Sequence, residues 1–277
     1  MRSINCKQRL IDLSEPKVMG ILNVTPDSFF DGGSYKNDRD ILSKAEKMLD
    51  EGATFIDVGG YSSRPKAEHI SEEEELIRVL PTIELLINEF PDILISIDTF
   101  RSNVARKAIQ TGACMINDIA AGTMDVNMFS TVAELQIPYI IMHMQGTPQT
   151  MQLDPKYKDI VHDIIYYFSK KINELKSLGV HDIIIDVGFG FGKTMEHNYT
   201  LLKNLYLFKN LDVPLLTGVS RKSMLWRLLG SSAREALNAT TVANSIALLN
   251  GTSILRVHDV KEAMEAIKII RYMDALP

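Results

Sequence analysis

Cysteine is scarce: Cys6 and Cys114 are the two thiols in a chain of 277 residues. That excludes a disulfide framework, and without a C-x-x-C pair or a Cys/His cluster a structural zinc site is excluded too. Long apolar runs are also missing. No segment approaches the roughly eighteen continuous apolar residues of a membrane span. The stretch from Met1 to Lys17 is broken by Arg2, Lys7, Arg9, Asp12 and Glu15, so it lacks the apolar run of a signal peptide. Nor is there an excess of positive charge. A formal net charge of -5 disfavours a partner bound through a nucleic-acid backbone, while leaving room for one local basic pocket. These absences predict a cytoplasmic protein in a reducing compartment, with no nucleic acid and no membrane among its partners.

Several reaction classes are missing as well. Gly188-Phe189-Gly190-Phe191-Gly192-Lys193 lacks the G-x-x-x-x-G-K-[ST] spacing of a nucleotide loop, and no G-x-G-x-x-G enters a helix after the first strand. The glycines instead allow a tight turn that presents Phe191 to a ligand or packs it on a rim. No Ser-His-Asp or Cys-His nucleophile can be assembled from the motifs.

What is present is ordinary globular material, 45% hydrophobic and 23% charged. The length suits one domain over residues 1–277, with 1–17 as a short N-terminal extension. Eight short apolar runs alternate with helical patterns: Val18 to Val24, Phe55 to Gly60, Leu94 to Asp98, Met115 to Ile119, Tyr139 to Met144, Ile183 to Gly188, Leu215 to Val219 and Ile254 to His258. Eight strands separated by helices predict a parallel (β/α)8 TIM barrel. Ile160, Ile164, Phe168, Ile172 and Leu175 mark one long amphipathic helix, and Leu237 to Leu249 and Val260 to Met273 mark the last two. Ser71 and Glu74 make a capping-box pattern, and Pro81 is expected to kink or break the helix that follows. The connections Thr25 to Asn37 and Tyr61 to Ile70 are long for βα loops and suit lids over a pocket.

Polar residues gather at the ends of these strands, where a barrel presents its chemistry. They include Asn23, Asp57, Asp98, Asn117, Asp118, Asp186, the run Ser220-Arg221-Lys222-Ser223, and the pair Arg256 and His258. Arg256 and His258, two apart on one strand, share a face and suggest an anion; the plain structural alternative is an Arg–Asp pair and a capped histidine. Asp98, Asn117, Asp186 and Lys222 converge only in a closed barrel, where they suit the polar edge of a flat heterocycle. The alternative there is an interior Asp186–Lys222 ion pair. Met142 belongs to a methionine-rich strand end that reads first as core and second as the floor of a heterocycle.

From about Val18 to Val260 these motifs resemble the dihydropteroate synthase family. The resemblance is carried by Ile21-Leu22-Asn23-Val24-Thr25-Pro26-Asp27-Ser28-Phe29, Ser62-Ser63-Arg64-Pro65, Ser96-Ile97-Asp98-Thr99, Ile116-Asn117-Asp118, Met142 to Gly146, Asp186 to Lys193, Ser220 to Ser223 and Arg256-Val257-His258. It implies a transferase of folate biosynthesis that joins a 6-hydroxymethyl-7,8-dihydropterin pyrophosphate to 4-aminobenzoate, and a target of sulfonamides. By the same resemblance Asp98, Asn117, Asp186, Lys222 and Met142 would hold the pterin, and Asp98, Asp186, Lys222 and Arg256 would carry catalysis. Ser63, Arg256 and His258 would contact the pyrophosphate. Arg64, Pro65, Phe191 and Ser220 would frame the aminobenzoate, Asn23 would bind Mg²⁺, and the chain would form a homodimer. The sequence departs from the family pattern at Tyr61 and Ser63, where Glu and Thr are usual, and at Phe30, where serine is common. Two rivals remain open at this point: a corrinoid-linked methyltransferase on a pterin-binding barrel, and a non-catalytic pterin-binding protein.

Overall fold

The computed structural model describes residues 3–24, 34–62, 69–151 and 153–276. Two short strands open the chain, β1 (Ser3–Cys6) and β2 (Arg9–Asp12), followed by β3 (Lys17–Asn23), α1 (Ser34–Asp50), β4 (Phe55–Gly59), α2 (Glu72–Glu89), β5 (Ile95–Asp98) and α3 (Ser102–Thr111). The alternation continues with β6 (Met115–Asp118), α4 (Met128–Leu135), β7 (Tyr139–Met142), α5 (Ile160–Ser177), β8 (Ile183–Asp186) and α6 (Met195–Lys203). It ends with β9 (Leu215–Thr217), α7 (Ser223–Leu228), α8 (Leu237–Leu249), β10 (Ile254–Val257) and α9 (Val260–Asp274). Strands β3 to β10 pair in sequence order, all parallel, and β10 closes on β3. This is the expected (β/α)8 barrel, and each of the eight apolar runs supplies one strand.

The strands alternate by face, which divides the core in two. Outward residues such as Val18, Leu22, Ile56, Val58, Ile97, Ile116, Ile141, Ile185 and Val257 pack under the helices in one large apolar cluster. Inward residues Met19, Phe55, Met115, Ile140, Ile184, Leu216 and Ile254 form a second cluster that fills the barrel floor. One strand pitch above that floor the inward positions turn polar: Asp57, Ser96, Asn117, Asp186 and Arg256. A period-two strand thus stacks an apolar layer beneath a polar one.

The first seventeen residues do more than extend the chain. β1 and β2 form an antiparallel hairpin whose Ile4, Cys6 and Leu13 join the floor cluster, covering the end of the barrel away from the polar layer. The Asn5 amide donates to Asp182 at 2.9 Å and pins the hairpin beside the start of β8. Cys114 lies in the same cluster, as a small buried apolar group should.

Of the two outcomes expected of Pro81, a kink or a break, the break does not occur. α2 runs unbroken across it. The carbonyl that a proline at 81 deprives of its partner belongs to Ile77, 73% exposed, so water can satisfy it. The capping box is half formed: Ser71 accepts from the Glu74 amide, while the Glu74 carboxylate pairs with Arg78.

Ile4 is fully buried between the hairpin and the barrel floor. Ile4→Ala is expected to destabilise the protein by about 2–4 kcal/mol in urea unfolding. A cost below about 1 kcal/mol would show that the hairpin is not part of the cooperative core.

Candidate active site

The polar layer is organised by Arg256 on β10. Its Nε donates to Asp57 Oδ2 at 2.6 Å and its Nη2 to Asp98 Oδ2 at 2.7 Å. The side chain therefore reaches from β10 past β3 to the ends of β4 and β5. Asn117 Nδ2 donates to the same Asp57 oxygen at 3.0 Å, which sets the direction of the Asn117 amide on β6. Asp57 is fully buried, and its other oxygen, Oδ1, has no hydrogen-bond partner among the described residues. The cluster has one guanidinium for two carboxylates. Burial raises the pKa of the Asp98 carboxyl to about 7 against the pull of Arg256.

The opposite wall comes from β8 and the turn after β9. Asp186 accepts from the Gly188 amide at 2.8 Å, and burial raises its pKa. Lys222 donates to the Phe189 carbonyl and lies 4.7 Å from the centroid of the Phe191 ring. Burial brings its pKa down to about 8, with Asp186 opposing the fall. No direct ion pair joins Asp186 to Lys222 among the described residues; each is held by the 188–193 loop. Two glycines keep the space between the walls open. A Cβ at Gly218 would lie 3.7 Å from Asp186 Oδ2 and 3.9 Å from Arg256 Cβ, and one at Gly59 would lie 3.6 Å from both Asn23 Oδ1 and Asp98 Oδ2.

At the rim, the Ser220 hydroxyl lies 3.0 Å from His258 Nδ1 and accepts from the His258 amide at 3.1 Å. The sequence reading put these residues in different subsites; the structure makes them one unit. Loss of solvent and the nearby Arg256 bring the His258 pKa down to about 4, so the ring is neutral at physiological pH in the free protein. Arg221 is not free to join them, because Asp259 takes both its Nε and Nη2 at 2.8 Å.

An apolar patch of Tyr61, Ile70, Phe100, Ile119, Ala120 and Met142 borders the mouth, with Phe191 packed against it. Tyr61 is wired into it: its hydroxyl lies 3.1 Å from His69 Nδ1 and accepts from Gln149 Nε2 at 3.0 Å. Arg101 donates to the Ile70 carbonyl at 2.6 Å and pairs with the buried Glu75. Ser63, Arg64, Pro65 and Phe30 lie outside the described residues, as does most of the first long loop.

Asp98, Asn117 and Arg256 are therefore assembled around one buried carboxylate, facing Asp186 and Lys222 across a glycine-lined gap. Asp57 is the member that the sequence reading left without a role, although it stood among the polar strand positions. Its signal was register: Asp57 pairs with Ser96 and lies one inward step below Gly59, inside the barrel rather than on its rim. No group of three or more His, Cys, Asp or Glu side chains among the described residues is arranged to hold a metal.

A parallel barrel with carboxylates, an amide, a lysine and an arginine at the C-terminal strand ends defines a barrel enzyme with a polar mouth. Residues 19–258 match the family described as pterin binding enzyme, and the chain belongs to that family. It is 44% identical to the dihydropteroate synthase of Haemophilus influenzae, over 94% of this chain and 95% of that one. It is equally similar to that of Escherichia coli strain K12, over 94% and 92%. The fold matches the Yersinia pestis dihydropteroate synthase in a sulfonamide drug complex with a TM-score of 0.92, at 41% identity over 99% and 100% of the two chains. It matches the Xanthomonas albilineans enzyme with 4-aminobenzoic acid with a TM-score of 0.93, at 36% identity over 100% and 99%.

Asp57→Asn removes one of the two carboxylates paired with Arg256 and replaces the acceptor shared with Asn117 by a weaker, neutral amide oxygen. Urea denaturation is expected to show a loss of about 2–4 kcal/mol. Stability within about 1 kcal/mol of the parent protein would mean that Asp98 alone satisfies Arg256.

Proposed function

We propose that the chain acts as a dihydropteroate synthase, joining the pyrophosphate ester of a hydroxymethyl dihydropterin to 4-aminobenzoate with release of pyrophosphate. The observation that carries this reading is the Arg256–Asp57–Asp98–Asn117 cluster facing Asp186 and Lys222 across an open gap. It lies in a chain that aligns with dihydropteroate synthases over nearly its full length. A pterin offers such a cleft N–H groups for carboxylates, and ring nitrogen and oxygen acceptors for Asn117 and Lys222. Met142, buried at the mouth, closes the cleft on its apolar side.

The chemistry needs little proton transfer. The methylene carbon loses its bond to a pyrophosphate oxygen and gains one to the aniline nitrogen, whose lone pair is already free at neutral pH; the resulting ammonium proton leaves to solvent. Asp98 and Asp186 lie where positive charge spreads over the pterin as the C–O bond lengthens, and they stabilise it. Lys222 orients the ring, while Arg256 and the neutral His258, held by Ser220, meet the departing pyrophosphate. Phe191 and Ser220 border the side from which the amine approaches.

The donor set at Asn23 fits Mg²⁺. An amide oxygen beside Gly59, at the edge of the cleft, is a hard ligand of the kind Mg²⁺ accepts together with phosphate oxygens and water. We assign Asn23 as its protein ligand; bound there, the ion would neutralise charge on the pyrophosphate. A cytoplasmic location accords with two unpaired buried thiols. Sulfonamides, which resemble the amine, are expected to compete with 4-aminobenzoate.

A homodimer is part of the same proposal. α8 turns Val242, Ile246 and Leu249 outward, while Ile269, Tyr272 and Met273 of α9 and Leu276 just beyond it form a parallel exposed stripe. The two helices are neighbours, so the stripes merge into one apolar face suited to a second copy of itself. Light scattering is expected to give twice the chain mass, and Val242→Glu with Ile269→Glu a folded monomer. A monomeric parent protein would contradict the assignment.

Purified protein given the pterin pyrophosphate, 4-aminobenzoate and Mg²⁺ is expected to form pyrophosphate and dihydropteroate only when the amine is present. Because Asp98 holds a proton below about pH 7, kcat/KM should fall with falling pH, about ten-fold per unit on the acid limb. Asp98→Asn should remove that limb along with most of the turnover. Pterin binding without turnover would favour a non-catalytic binder, and amine-independent methyl transfer a different enzyme.

A further inference from the structure

The 188–193 loop is pressed hard against the end of β7. A Cβ at Gly188 would meet the His143 carbonyl oxygen at 2.0 Å, and one at Gly192 the Gln145 carbonyl oxygen at 2.7 Å. Both glycines also have positive φ, 70° and 60°. Close backbone approach of this kind leaves no space for water between the loop and the strand end.

Lys193 lies behind this contact, 4% exposed. Its Nζ donates to the His143 carbonyl at 3.1 Å and to the Phe191 carbonyl at 2.9 Å, and lies 3.1 Å from His143 Nδ1. Three polar partners surround the amine, and burial holds its pKa well below the usual lysine range. No carboxylate lies within ion-pair distance of it among the described residues. Nδ1 of the buried His143 ring faces this amine. The ring itself is fixed edge to face against Tyr167, with centroids 4.9 Å apart.

The two halves of the loop are held by different means. The first half is anchored by the fully buried Phe189 ring and by the Gly190 amide, which donates to Asn198 Oδ1 at 2.7 Å. The second half is anchored by Lys193 on the Phe191 carbonyl and by the Tyr157 hydroxyl, which donates to the Gly192 carbonyl at 2.7 Å. Phe191 belongs to that second half, and its ring faces the Lys222 ammonium.

We propose that Lys193 is a positioning residue for the amine-binding side of the site: its buried amino group ties the Phe191 backbone to the end of β7 and so sets the ring against which the 4-aminobenzoate lies. This rests on the assignment of the chain as a dihydropteroate synthase. The bonds of Lys193 are to its own loop and to the end of β7, not to the groups assigned to the pterin. The Phe189 ring and the Gly190–Asn198 bond remain to hold the half of the loop that Lys222 bonds, so loss of Lys193 acts more on the amine than on the pterin. An interaction that only stabilised the fold would not separate the two substrates.

Steady-state kinetics of Lys193→Met tests this, the change keeping an unbranched side chain one atom shorter and removing the donors. KM for 4-aminobenzoate is expected to rise roughly ten-fold, while kcat and KM for the pterin stay within about two-fold. Tyr157→Phe removes one hydroxyl from the same half of the loop, and KM for the amine is expected to rise about two- to three-fold. If Lys193→Met does not fold, Tyr157→Phe decides. An unchanged KM for the amine, or equal changes for both substrates, in an enzyme that turns over would overturn the role of Lys193 alone. Absence of turnover in the parent protein would instead overturn the assignment of function, and this inference with it.

Discussion

A guanidinium enclosed in a barrel must be paired, and much of this protein's active end follows from how Arg256 is paired. Asp57 and Asp98 take its Nε and one Nη. To reach both, the side chain crosses β3, which locks the closing strand to the two strands that follow it around the barrel. Asn117 is oriented as a consequence, through the oxygen of Asp57 that Arg256 also uses. Burial raises the Asp98 pKa to about 7 against the pull of Arg256, and the second carboxylate, Asp57, adds to the rise. A cluster in this condition responds to whatever enters. A ligand bearing N–H groups on one side and an anion on the other separates Asp98 from Arg256 at little cost, because each gains a new partner.

The position of the cluster is as informative as its contents. One layer below it every inward side chain is apolar, and the N-terminal hairpin covers that layer from outside. The barrel is thus closed at one end and polar at the other, and its glycines at 59 and 218 leave space only at the polar end. Desolvation is strong enough there to shift Asp98, Asp186, Lys222 and His258 together. Such shifts in one cleft are what charge stabilisation without a nucleophile requires.

Much of this was legible in the residues. Alternating apolar runs announced eight strands, and the polar residues that end them were the ones that now face the mouth. What could not be read was partnership. Asp57 looked like one strand carboxylate among several, and only register shows it beneath Arg256 and beside Asn117. Lys193 read as the tail of a failed phosphate motif, and its three polar partners come from another strand end and from its own loop. Pro81 misled for a different reason: propensity treats all helix interiors alike, whereas the carbonyl it deprives is on the water side. The hairpin was missed because four-residue strands in a charged segment carry almost no periodic signal. Ser220 and His258 were assigned separate duties by motif, and geometry joined them.

The most direct test of the central claim is an equilibrium titration of the dihydropterin pyrophosphate into the parent protein and into Asp186→Asn. The account predicts saturable binding at one site per chain, weakened roughly a hundred-fold by the substitution, since a buried carboxylate that accepts two N–H bonds from the ring would be replaced by a group that opposes one of them. Equal affinity in both proteins, or no binding by the parent, would contradict it.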